Sequence, residues 1–202
     1  MVKLILNGEE REIDPKKYKN FGELLDELQK EFKDRVLSKL VINGKEIPLV
    51  HIDQLRPAVI DEDNLTIELT FEPMKMFLIN MLDDIIEYLD KVIGLLPKVS
   101  EDMIVDAEKG YNEIRDLSEG LSAIEDLRKN TEKLSNLSLA DVGIKKEEQQ
   151  EVVGILQNFV SSLENKDIID LSDHIEENIP KVLEFYKNYF QKVKQILEEN
   201  VN

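Results

Sequence analysis

The sequence predicts an α+β protein in two parts: a small strand-and-helix module, then an antiparallel bundle of about four α-helices. Three observations predict it. Residues 1–72 hold short apolar runs punctuated by two Asn-Gly dipeptides around one amphipathic stretch. From Met74 onward apolar residues recur every three or four positions, the period of a helix. Pro73 stands where one rhythm gives way to the other. The expected domains are therefore residues 1–72 and 74–202.

In the first part, residues 2–6 form an apolar run, Asn7-Gly8 makes a hairpin turn, and residues 11–14 return as the partner strand until Pro15 closes it. Asn20 caps a helix whose apolar face is Phe21, Leu24, Leu25, Leu28 and Phe32. Residues 36–42 form another strand, Asn43-Gly44 a second turn, and residues 45–48 a short return. An acidic turn at Asp61, Glu62, Asp63 and Asn64 leads into residues 65–71, where apolar and polar residues alternate with period two.

In the second part, a first helix from Met74 is expected to stop at Pro97, with Ser100 capping the next. That second helix carries the stripe Ala107, Tyr111, Ile114, Leu117, Leu121, Ile124, Leu127 and Leu134, and a break at Gly110 or Gly120 is compatible with it. Running to Leu137 it would span about 55 Å against about 33 Å for the first, at 1.5 Å per residue. Residues 138–145, with Gly143, form a bend. A third helix covers residues 146–164, and a fourth runs from Asp167 to near Asn200 with a kink at Pro180.

The order strand, strand, helix, strand, short strand, strand resembles the ubiquitin-like β-grasp. The local text is similar to the bacterial sulfur carriers of thiamine and molybdopterin synthesis. The resemblance rests on Val2-Lys3-Leu4-Ile5-Leu6-Asn7-Gly8-Glu9-Glu10-Arg11-Glu12-Ile13, residues 21–28, Val41-Ile42-Asn43-Gly44-Lys45-Glu46-Ile47-Pro48 and residues 61–69. It implies one helix folded across a small mixed sheet. Those carriers end in a free Gly-Gly whose carboxylate is adenylated and thiolated. Here Thr70-Phe71-Glu72-Pro73-Met74 contains no glycine and 130 residues follow Glu72. The fold is expected to carry over and the carrier chemistry is not.

Composition removes several functions. The 202 residues carry 26 Lys+Arg against 43 Asp+Glu, a net charge of −17, of which −5 falls in residues 1–72 and −12 in residues 73–202. That surface opposes nucleic acid and anionic membranes, since both require a basic footprint. Without cysteine there is no thiol nucleophile, iron–sulfur cluster or disulfide framework. No signal peptide or spanning segment is read: the apolar window 74–96 is interrupted by Asp83, Asp84, Glu87, Asp90 and Lys91, so a cytoplasmic protein is expected. Neither Gly-x-Gly-x-x-Gly nor Gly-x-x-x-x-Gly-Lys-Ser/Thr occurs, and no cofactor is expected.

Asp170 and His174, four positions apart on the fourth helix, face the same way. They supply two ligands where a zinc site wants three or four. Phe185, Tyr186, Tyr189 and Phe190 crowd four aromatics into six positions, more than one inward stripe buries easily. Either the core and the first domain cover the excess or a partner does, and in the second case these four are the candidate interaction residues. The leading expectation is a non-catalytic adaptor or assembly protein, in its narrower form a small cytoplasmic chaperone, with a protein partner. The long second helix, or the fourth, would serve a homodimer. One alternative is a metal-dependent helical-bundle enzyme using Asp170, His174 and bundle carboxylates. The other is a degenerate sulfur-carrier relative that still docks a biosynthetic partner.

Overall fold

The computed structural model describes residues 2–60 and 64–199, and at position 107 the backbone only. The chain divides into two compact units, Met1–Phe77 and Leu78–Asn202.

The first unit is a five-stranded mixed sheet with one main helix, compatible with a β-grasp-like fold. Strand β1 (Lys3–Leu6) turns through Asn7-Gly8 into the antiparallel β2 (Glu9–Glu12), pairing Leu6 with Glu9 and Lys3 with Glu12. Both turn residues have positive φ, 51° and 83°, as a two-residue hairpin turn demands. So tight a turn returns the chain at once, and the partner strand begins at Glu9 rather than at Arg11. Asp14, expected in that strand, instead accepts from the Lys16 backbone N–H and opens a short turn of 3₁₀ helix, Pro15–Lys17.

Helix α1 (Phe21–Glu31) begins at Asn20, whose Oδ1 accepts from the Glu23 N–H at 2.9 Å. Strands β3 (Arg35–Ile42) and β4 (Lys45–Glu46) close over the second Asn-Gly turn, and β5 (Thr66–Pro73) follows the four-residue helix α2 (Ile52–Leu55). The sheet order is β2-β1-β5-β3-β4, with β1 parallel to β5 and every other pair antiparallel. Period two is visible in β5, where Ile67, Leu69 and Phe71 enter the core with Leu4, Leu6, Leu24 and Leu40. Of the acidic turn, residues 61–63 lie outside the described residues.

Helix α3 (Met74–Val105) starts directly after β5 and runs through Pro97 for 32 residues, where a stop was expected. Proline in a helix interior costs about 3 kcal/mol. Packing beyond it outweighs that penalty: Leu96, Ser100 and Met103 are all buried. Ser100 is therefore no cap. Its hydroxyl lies 2.8 Å from that of Ser172. The break falls at Asp106, which alone separates α3 from α4 (Ala107–Ser135) and accepts from the Lys109 N–H. So short a connection presses the two helices together, and a Cβ at Gly110 would stand 2.6 Å from the Met103 Cα. α4 continues through Gly110 and Gly120 and ends at Asn136 in the left-handed conformation. With 32 and 29 residues the two helices are nearly equal in length, so the overhang on which the dimer expectation rested is not there.

The bend at 138–145 is present, with Gly143 at φ +73° and Asp141 accepting from the Ser138 N–H. α5 (Lys146–Asn165) follows. The expected fourth helix is divided into α6 (Ile168–Asp173), a π-helical turn at His174–Asn178 and α7 (Ile179–Glu199). The wide turn immediately precedes Pro180, which has no N–H to give a preceding carbonyl. The backbone ladder widens there. The four expected rods thus become six helical segments among the described residues. α7 supplies the centre of this unit's core through Ile179, Val182, Leu183, Tyr186, Tyr189, Phe190 and Val193. No helix among the described residues is long and apolar enough to cross a membrane.

Candidate functional site

The second unit carries an apolar trough between α3 and α4. On α3 the positions Tyr88, Val92, Leu95 and Val99 follow a four-three-four spacing, and on α4 Glu113, Leu117, Gly120 and Ile124 repeat it. That is the spacing of a coiled-coil seam, where each side chain fits among several on a facing helix. The two seams leave about 340 Å³ between them. Leu96, Ile124 and Leu183 from α7 are buried and form the floor. Tyr88 and Leu95 stand on the lip 54% and 58% exposed, so water covers a strip of apolar surface. Gly120 sets the depth: a Cβ placed there would meet nothing within 4 Å.

The polar groups of the trough sit on its rim and are Lys98, Asp116 and Glu113. Glu113 Oε1 lies 3.7 Å from the Lys109 ammonium, whereas Oε2 is shielded from water without a hydrogen-bond partner. Lys109 is engaged by Asp102 at 2.6 Å, and that bond holds the Asp102 carboxyl below its ordinary value.

Three of the four candidate aromatics are core. Tyr186, Tyr189 and Phe190 are buried, and Phe185 is half-buried beside α5. Sequence spacing alone left no room for all of them on one inward stripe. The structure finds room because an ion cluster lets phenols enter the interior. The Arg128 guanidinium donates to both oxygens of Glu125 (2.8 and 3.0 Å) and to Glu132 (2.7 Å), and lies 5.9 Å from the centre of the Tyr189 ring. The Tyr189 hydroxyl donates to the Leu137 carbonyl at 2.9 Å. Burial would raise the Glu125 carboxyl, but its bonds to Arg128 outweigh that and hold it low. Burial pushes the Tyr189 phenol up to about 12, and burial together with the Glu125 charge pushes Tyr186 higher still. This is a structural centre: its polar groups satisfy one another.

Asp170 and His174 do meet, with Oδ2 and Nε2 3.7 Å apart. The same Asp170 oxygen accepts from the Ser162 hydroxyl, and the imidazole stands edge-on to Phe159. In a hydrolytic triad the imidazole lies between hydroxyl and carboxylate. Here the carboxylate lies in the middle, so His174 cannot take the Ser162 proton. No group of three or more His, Cys, Asp or Glu among the described residues is placed to hold a metal ion. The acid pair Asp83/Asp84 lies on the exposed edge of α3, Asp83 bonded to Lys194 at 2.5 Å.

The fold and trough together define an α+β protein whose helical unit presents an open apolar cleft. The chain belongs to the family Domain of unknown function (DUF8042), matched over residues 80–189. That match contains both walls and the floor of the trough and none of the sheet. No curated protein and no solved structure gives a match. The trough was missed in the sequence because the α4 stripe runs on through Leu117, Leu121 and Ile124, and Gly120 beside it read only as a possible helix break.

Proposed function

We propose that this protein is a non-catalytic interaction module, an adaptor or assembly factor, and that it holds a protein partner in the α3–α4 trough. One observation carries the reading: water-exposed Tyr88 and Leu95 lead into a cleft with a buried aliphatic floor. Exposed apolar strips with a polar rim are typical of protein contact sites. The sheet order, with its parallel β1–β5 pair, supports taking the first unit as a ubiquitin-like β-grasp module appended to this binding unit. The acidic surface is compatible with a cytoplasmic site of action.

The test fills the trough without disturbing the fold. Gly120→Leu puts a side chain into open space and improves helix propensity. Tagged wild-type and Gly120→Leu chains are purified from the native cell, with a thermal melt confirming that the variant is folded. A protein retained by the wild type and lost from the variant supports the proposal. Identical sets of co-purifying proteins refute it.

A further inference from the structure

Resting on that reading, we infer that the occupant of the trough is an amphipathic helix of another protein, with apolar anchors at i, i+4 and i+7 and Lys or Arg beside them. The geometry carries the first half. Tyr88 to Val99 and Glu113 to Ile124 are each about 17 Å of helix at 1.5 Å per residue, so the walls are matched and three turns long. A third helix laid between two four-three-four seams meets the holes that such seams form, which is the helix-in-groove mode of recognition. A small molecule is the poorer fit, because such ligands are largely enclosed and this cleft is open along its lip.

Charge carries the second half. Among the described residues the rim carboxylates Glu113 and Asp116 have only long ion pairs, with Lys109 at 3.7 Å and Arg115 at 3.6 Å, within a part of the chain that bears −12. A cationic donor next to an apolar anchor adds a shorter, charge-assisted bond to one of these carboxylates. A second copy of this chain brings its own −17 to the contact, so like-charge repulsion opposes self-association there.

The experiment measures fluorescence anisotropy of labelled synthetic helices on the full chain at 0.15 M salt. One helix has Leu at i, i+4 and i+7 flanked by Lys and Arg. A second has the same Leu positions flanked by Glu. A third has the composition of the first with its Leu positions scrambled. The expected result is that the first binds at least tenfold more tightly than either control. Gly120→Leu abolishes that preference, and Glu113→Gln weakens the first helix several-fold while leaving the second unchanged.

If the basic helix binds no better than the acidic or scrambled one, or if Gly120→Leu binds it as the wild type does, the inference is wrong. Sedimentation showing a wild-type dimer that Gly120→Leu dissociates overturns it in favour of a second copy. The two proposals fail separately. A cellular partner lost on Gly120→Leu, together with no preference for the basic helix, leaves the adaptor reading standing and removes only this occupant.

Discussion

Two glycines on one helix should respond in opposite directions to the same substitution. Gly110 and Gly120 both lie inside α4, and alanine is intrinsically better than glycine in a helix by about 1 kcal/mol. At Gly120 the new methyl meets nothing within 4 Å, so the full gain of about 1 kcal/mol is expected. At Gly110 it would stand 2.5 Å from the Met103 Sδ and 2.6 Å from the Met103 Cα. The sulfur can swing aside, but the Cα belongs to the last turn of α3 and moves only if the helix does. Overpacking of this kind costs about 3 kcal/mol at the upper end of its ordinary range, leaving Gly110→Ala less stable by about 2 kcal/mol. Urea denaturation followed by helical circular dichroism should separate the two variants by about 3 kcal/mol, on either side of the wild type. Equal shifts in the same direction would show that α3 and α4 do not meet at the Asp106 connection, and the reasoning would fall with them.

Three further outcomes are expected. Arg128→Ala removes a mostly buried guanidinium that pairs two partly exposed carboxylates, and should destabilise by about 2 kcal/mol. A double-mutant cycle with Glu125→Gln should show strong coupling, and additive effects would contradict the ion cluster. The raised phenol of Tyr189 ties stability to alkaline pH. Its protonated form is favoured by folding, so that contribution is complete below the unfolded value near 10 and is lost as pH rises toward about 12, by up to about 1.4 kcal/mol per pH unit. Tyr189→Phe should reduce that slope in urea titrations between pH 9 and 11.5, leaving the share due to Tyr186, and an unchanged slope would place the Tyr189 phenol in water. Thr131 is fully buried and its hydroxyl has no partner, so Thr131→Val should raise stability by about 1 kcal/mol in the same assay. A loss would mean that the hydroxyl is bonded.

The candidate site was only half legible beforehand. The Asn-Gly hairpins, the Asn20 cap and the alternation of residues 66–71 depend on neighbours within a few positions, and they stand where the sequence places them. Three positions behave otherwise. Pro97 reads as a stop, yet α3 continues, because Met103 lies in the core and Ser100 is bonded to Ser172, 72 residues away. Tyr186, Tyr189 and Phe190 read as either core or partner contact and are interior, since Glu125 and Arg128 arrive from another helix to meet the phenols. Gly120 reads as a weak point in a helix and proves to leave open space in the wall of a cleft.

By itself, then, the order of residues determined the change from pleated to helical structure at Pro73, the strand-and-helix order of the first unit, and the acidic character of the whole. Each follows from local backbone preference, apolar period or charge count. The tertiary structure alone decided where the helices break, which aromatics lie inside, and that a gap remains between α3 and α4. Those outcomes depend on which side chains from distant parts of the chain fill the same space, and a strong enough contact there overrides what any single residue prefers.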